Sequence, residues 1–497
     1  MVVVHTTAGP VRGSSEGGVA RWLGIAYAAP PFGELRLQPP APVSWAETRD
    51  ATAYGPTAPK GDYPPAYQPY LPEPTVPGED CLNLNIWAPD GAAEGSLPVL
   101  VWIHGGSFVN GSGAVSAYDG TAFARSGVVC VTINYRLGAE GFLFTGADQG
   151  SGTANRGLQD QVAALRWVQE NIAAFGGDPA RVTVAGESAG AMSVTTLLAM
   201  PSAQGLFSQA IAQSGAAAHT LTAEQGLMVA GYLAEALGIE PSQEAFAAVD
   251  PDTLAKAVAD LVTEVQTTPD PARWGSLALT TLPFAPVVDG VVLPRHPLEA
   301  FADGAGRDVR VLTGTTAQEA RLFVVADGSI DLIDDDQLAL AASAYGATPD
   351  IIETYRRHFP EGSPGDVLAQ IVTDWFFMLP GLHHAEARER GGGPTWVYRF
   401  DRPLPGENDG MGAAHAVELS FVFDTVHLPE QARMVGPSPS RAVVDTAHRT
   451  WVRFVTEGEP GWAAYTTSRR TTGLLAEQLS VVDDPDGELR ASWAGIR

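Results

Sequence analysis

The strongest constraint on the fold comes from three short apolar runs, residues 97–103, 128–134 and 181–185, each rich in Val and other apolar side chains. A strand with one wet face alternates apolar and polar residues, whereas a nearly continuous apolar run marks a strand covered on both faces. Between the second and third runs, within residues 157–175, Leu158, Val162, Leu165, Val168 and Ile172 recur at helical spacing and form one apolar stripe. Strand and helix in alternation predict an α/β fold, with a central, mostly parallel, twisted sheet flanked by helices. Further strands are expected at 209–213, 309–313 and 395–400. Residues 222–300 and 335–391 carry helical patterns without strand partners and read as insertions over the sheet, within one domain spanning 1–497. The Pro-rich stretch 63–77 reads as a surface loop, because proline removes backbone donors.

Composition narrows the function classes. With 45% hydrophobic and 18% charged residues, the 497-residue chain can bury a large core. Its formal charge of −27 repels polyanions and acidic membrane surfaces, so neither nucleic acid nor a membrane is an expected partner. No apolar run approaches the roughly 18 residues of a membrane span. The N-terminal Met1-Val-Val-Val-His-Thr-Thr lacks the basic and apolar regions of a secretory leader, and a cytoplasmic protein is the expectation. Cys81 and Cys130 are the only cysteines, and Cys130 falls in an apolar run.

Chemistry enters at Arg181-Val-Thr-Val-Ala-Gly-Glu-Ser-Ala-Gly190, where a strand passes through Gly-x-Ser-x-Gly into a helix beginning near Ala189. So sharp a turn forces its serine into strained backbone geometry and needs glycine on both sides. Ser188 is the candidate nucleophile. Gly13-Ser-Ser-Glu-Gly17 matches the same pattern, but no buried strand precedes it and no helix follows, and it reads as a turn. The run 97–103 leads directly into His104-Gly-Gly-Ser-Phe108, a Gly-rich loop able to supply backbone donors to a developing oxyanion. The N–H groups of Gly106, Ser107 and Ala189 are the candidate donors.

A serine nucleophile needs a base, and the base needs an acid, in the chain order serine, acid, histidine. His415 follows the predicted strand 395–400 after a loop, the place expected for the base. Of the others, His296 and His358 lie in polar surroundings. His383 and His384 have no metal-binding companions and read as a helix surface; no metal and no cofactor are expected. Glu319 stands on a loop after the strand 309–313, although a loop glutamate is most often only a solvated surface group.

Taken together, these segments resemble the type-B carboxylesterase family, which holds bacterial para-nitrobenzyl esterases, animal carboxylesterases and cholinesterases. The resemblance spans nearly the whole chain. It is carried by Gly24-Ile-Ala-Tyr-Ala-Ala-Pro-Pro31, Glu79-Asp-Cys-Leu-Asn-Leu-Asn85, Asn134-Tyr-Arg-Leu-Gly138, Gly186-Glu-Ser-Ala-Gly190, residues 314–323 and His415-Ala-Val-Glu-Leu-Ser-Phe-Val-Phe423. It implies an α/β-hydrolase fold with insertions over the catalytic face, a serine esterase of bacterial type, Glu319 as the acid, His415 as the base and a small-molecule ester as substrate. The family's secreted members pair the cysteine of Glu-Asp-Cys with one some twenty residues earlier. Residues 55–59 read Gly-Pro-Thr-Ala-Pro, so Cys81 should be a free thiol. Ser107 stands where the family usually has Gly or Ala, which narrows the space beside the acyl group.

A catalytically dead binding module of the same fold is the rival from another class, and it usually lacks the serine or histidine. Within enzymes, a hydrolase of amides, carbamates or lipid esters would share every catalytic part. Candidate pocket walls are Phe108, Phe284, Phe377 and Phe421, with Trp375, Phe376 and Met378 in the same cluster. Neutral short-chain and aromatic esters are the expected substrates, the protein is expected to be monomeric, and kcat/KM is expected to fall below about pH 6 to 7 as the histidine protonates.

Overall fold

A computed structural model describes residues 1–401 and 408–497. Its core is one thirteen-stranded sheet. Twelve strands lie in the spatial order Val2–His5, Pro10–Glu16, Val19–Ala26, Asn83–Pro89, Val129–Ile133, Leu97–Ile103, Gly177–Glu187, Gln209–Gln213, Arg310–Thr316, Thr395–Phe400, Thr471–Leu475 and Ser480–Asp483, and Arg49–Asp50 pairs with the second. From Val129–Ile133 to Thr471–Leu475 every neighbour pair is parallel. Along that order the first four strands and the last are antiparallel to their neighbours, and Arg49–Asp50 pairs parallel with the second. Those strands mix polar and apolar residues without clean alternation, so sequence patterning passed over them.

The central strands are buried on both faces. In Leu97–Ile103, Val99, Val101 and Ile103 join one apolar cluster, while Leu100 and Trp102 point into another on the opposite face. Helices supply both layers. Arg156–Asn171, continued by a tighter turn over Ile172–Phe175, packs the predicted stripe of Leu158, Val162, Leu165 and Val168 against the first face. The amphipathic helix Arg441–Glu457 covers the second through Val444, Ala447, Trp451 and Phe454.

Four expectations are corrected. Residues 222–300 are helical, but Leu221–Thr222 and Val287–Val288 form a short two-stranded parallel pair at their base. The decoy serines lie in the strand Pro10–Glu16, before a turn at Gly17 and Gly18. His384 is fully buried, edge-on to Phe301, and not on a helix surface. The loop 63–77 is more than a surface excursion, since Tyr63 and Tyr67 wall the main cavity. Cys81 and Cys130 are both buried and free.

Candidate active site

The parallel strands end on one edge of the sheet, and the site assembles there. Gly177–Glu187 ends at Ser188, and the helix Ala189–Ala199 starts immediately after it. Ser188 adopts φ 56° and ψ −125°, a left-handed conformation that an L-residue keeps only when its surroundings enforce it. Enforcement is visible. The Ser188 N–H donates to the Gln213 carbonyl at 2.9 Å, locking the turn to the neighbouring strand. A Cβ on Gly186 would lie 2.5 Å from the Gly190 carbonyl carbon, and one on Gly190 would collide with the Ile103 carbonyl.

Glu319 lies just past the strand Arg310–Thr316 and is fully buried. Its Oε1 accepts from the Thr316 N–H at 2.8 Å and its Oε2 lies 2.7 Å from His415 Nδ1. That contact holds the proton of neutral His415 on Nδ1 and leaves Nε2 as the basic nitrogen. The segment carrying His415 is tied to the one carrying Glu319: the His415 N–H donates to the Glu319 carbonyl, the Ala413 N–H to Gln318 Oε1 and the Gln318 N–H to the Ala413 carbonyl. Asn408 braces the same turn through both backbone groups of Gly412.

Two further carboxylates surround the imidazole. Glu187 Oε1 lies 3.0 Å from His415 Nε2, and no hydrogen bond joins Ser188 Oγ to His415 among the described residues. Glu418, three residues past His415 at the start of the short helix Glu418–Val422, is buried and accepts from Gln213 Nε2 at 3.1 Å, while Trp451 Nε1 donates to Gln213 Oε1. Burial pushes both Glu187 and Glu418 well above the ordinary carboxylate range. For His415 burial acts downward, but Glu187, Glu319 and Glu418 outweigh it and push the ring up to about 9. Sequence reasoning gives neither Glu187 nor Glu418 a place in the site, although both sit inside the quoted motifs, one residue before Ser188 and three after His415.

Ser188 and His415 open onto one cavity of about 840 Å³, also lined by Gly106, Ser107 and Ala189. The N–H groups of those three residues form no hydrogen bond among the described residues. Its aromatic lining includes Tyr63, Tyr67, Tyr118, Phe323, Phe376 and Phe377. Phe377 sits on a widened helical turn, Asp374–Met378, with its ring 4.9 Å from His415. Phe108, Phe284 and Phe421 are not in the wall. All three are fully buried: Phe108 packs on Phe142, Phe421 on Phe400, and Phe284 belongs to the core on one face of the sheet. Among the described residues no group of three or more His, Cys, Asp or Glu side chains is placed to hold a metal ion.

Residues 1–480 match the model of the carboxylesterase family. The chain belongs to the carboxylesterase family. It is 37% identical to the para-nitrobenzyl esterase of Bacillus subtilis, over 98% of this chain and 97% of that one, and 36% identical to the phenmedipham hydrolase of Pseudarthrobacter oxydans, over 92% and 90%. The crystal structure of a Geobacillus stearothermophilus carboxylesterase superposes with a TM-score of 0.85 at 38% identity, covering 99% of each chain. The fold is therefore that of the α/β-hydrolases, and this carboxylesterase is a serine hydrolase of carboxylic esters.

Proposed function

We propose that Ser188 is the nucleophile, His415 the general base and then acid, Glu319 the group that orients His415, and the N–H groups of Gly106, Ser107 and Ala189 the oxyanion hole. The observation that carries this reading is convergence: a strained serine, a histidine backed by a buried carboxylate and three unspent amides meet at one cavity. Ser188 Oγ attacks the ester carbonyl as His415 Nε2, turning from Glu187, takes its proton. The carbonyl oxygen becomes an oxyanion held by the three amides, a contribution of several kcal/mol in such sites. Collapse breaks the ester bond, and His415 returns the proton to the departing alcohol. Water then repeats the sequence on the acyl-enzyme, releasing the acid and restoring Ser188. Glu319 stabilises the imidazolium without taking its proton.

The substrates are neutral esters with short-chain or aromatic groups. What supports this is the aromatic lining, with the acidic Glu187 in the same wall and a formal charge of −27 on the chain. The location is cytoplasmic, a reading supported by two buried, unpaired cysteines. The test of the site is Ser188→Ala: ester turnover and labelling by an organophosphonate should both disappear, with thermal unfolding unchanged. Labelling that persists would place the nucleophile elsewhere.

A further inference from the structure

The oxyanion loop is strained beyond its glycines. Gly106, Ser107 and Phe108 have φ values of 109°, 55° and 62°, so two consecutive residues with side chains sit in the left-handed region beside the proposed donors. Such a segment holds its shape only if its surroundings fix it. Its own turn supplies part of this, with the Val109 and Asn110 N–H groups donating to the Gly106 carbonyl, and the Gly138 N–H donating to the Phe108 carbonyl. The rest comes from outside, through one carboxylate.

Glu73 Oε1 accepts a short hydrogen bond from the Gly111 N–H and lies 2.7 Å from Lys60 Nζ. Its Oε2 lies 3.5 Å from Asn110 Nδ2, which also donates to the Gly61 carbonyl at 2.7 Å. Lys60 Nζ donates in turn to the Gly111 and Pro74 carbonyls. Lys60 is one of only two lysines in the chain, and both side chains of the pair are nearly buried, with 3% and 9% of their surface exposed. A buried ion pair is a weak source of stability, so its value here has to be sought in what it positions. Gly111 is packed so tightly on Gly105 that an added Cβ would strike the Gly105 carbonyl and the His104 ring. Displacement of Gly111 therefore passes directly to the peptide before Gly106.

We propose that Glu73, neutralised by Lys60, is a positioning residue for ester hydrolysis: it anchors Gly111 and so sets the direction of the Gly106 and Ser107 N–H groups toward the oxyanion. The inference rests on the oxyanion hole proposed above. It also couples the segment 60–74, which carries the cavity-wall residues Tyr63 and Tyr67, to the reacting centre.

The experiment compares two variants that both remove the buried charges, Lys60→Met with Glu73→Gln and Lys60→Met with Glu73→Leu. Only the first keeps an acceptor for Gly111. The readouts are kcat, KM and the inhibition constant of an aryl trifluoromethyl ketone. Addition of Ser188 Oγ to that ketone forms one C–O bond, sends the hydroxyl proton to His415 and leaves the electron pair on an oxygen in the hole. The Gln variant should stay close to the parent. The Leu variant should lose about 10- to 100-fold in kcat, short of deleting a donor outright, with matching loss of ketone affinity and little change in KM. A folded Leu variant with parental kcat and ketone affinity overturns the proposal, as does a change confined to KM. Ser188→Ala run alongside separates the two readings: if it retains turnover the site assignment fails, and if it is inactive while the Leu variant equals the parent, only the role of Glu73 fails.

Discussion

His415 Nε2 lies 3.0 Å from Glu187 Oε1, so the nitrogen proposed to accept the serine proton faces a carboxylate that favours its protonated form. With Glu319 on Nδ1, the ring stands between two acids, and its pKa moves from the ordinary 6.5 to about 9. The sequence alone led to an ordinary histidine, because Glu187 reads there only as a neighbour of Ser188.

The first prediction follows from the sign of that shift. The base form of His415 is neutral, so raising its pKa removes active enzyme at neutral pH. In the free enzyme kcat/KM should therefore climb between about pH 7 and 9, where an unperturbed histidine would level off above about 7. Glu187→Gln removes one raising carboxylate and should move the limb down by on the order of one unit. A pH–rate profile with the same limb in parent and variant would show that Glu187 does not act on His415.

Glu319→Gln should lower kcat by about 10³- to 10⁴-fold while leaving KM within a few-fold. An amide can accept the His415 Nδ1 proton only through its oxygen, and the Thr316 N–H competes for that atom. With the NH₂ turned to Nδ1 instead, the histidine proton shifts to Nε2 and the base is lost. Residual turnover should come from the oxyanion amides. Full activity in this variant would mean that the acid lies elsewhere.

How much of this was legible depends on how local the signal is. The turn at Ser188 announces itself within ten residues because strand, glycine pair and helix are contiguous. His415 and Glu319 are 96 positions apart, and residues alone left Glu319 as an ordinary loop acid until the family resemblance assigned it. The pocket wall was the least legible part. Phe108 and Phe421 stand beside motifs yet point into the two cores, while Tyr63, Tyr67 and Phe323 reach the cavity from turns and a short helix with no periodicity to betray their direction. Adjacency in sequence does not say which face of the sheet a side chain takes. The edge strands were missed for a related reason, since the mixed pattern of Pro10–Glu16 has no clear period.

Gly190→Ala tests the elbow as architecture. Its methyl group would meet the Ile103 carbonyl, which is held in the sheet and cannot yield. The variant should lose roughly 2–4 kcal/mol of stability or fail to accumulate as folded protein. Gly231→Ala, with open space around its Cβ in a helix, is the control and should be neutral or slightly stabilising. Equal midpoints for both variants in thermal unfolding would contradict the packing seen at Ser188.

The last prediction concerns substrate charge. Among the acids that line the cavity, Glu187 faces His415 Nε2 directly, at 3.0 Å, whereas Glu73 is paired with Lys60, Glu140 with Arg36 and Asp260 with Lys256. Those pairs cancel locally, and in the reactive form of the enzyme His415 is neutral and no longer offsets Glu187, so an anionic ester arriving there meets that carboxylate and, at longer range, the −27 of the whole chain. The long-range part is screened over roughly 10 Å at 0.1 M salt, whereas repulsion inside the cavity is screened much less. A para-nitrophenyl ester with a terminal carboxylate should therefore have a lower kcat/KM than its neutral methyl-ester analogue, by about tenfold or more at low salt. Raising the ionic strength should narrow that gap without closing it, and Glu187→Gln should narrow it further at every salt concentration. Equal rates for the two esters at low salt would remove electrostatics from the account of specificity and leave shape and apolar contact to explain it.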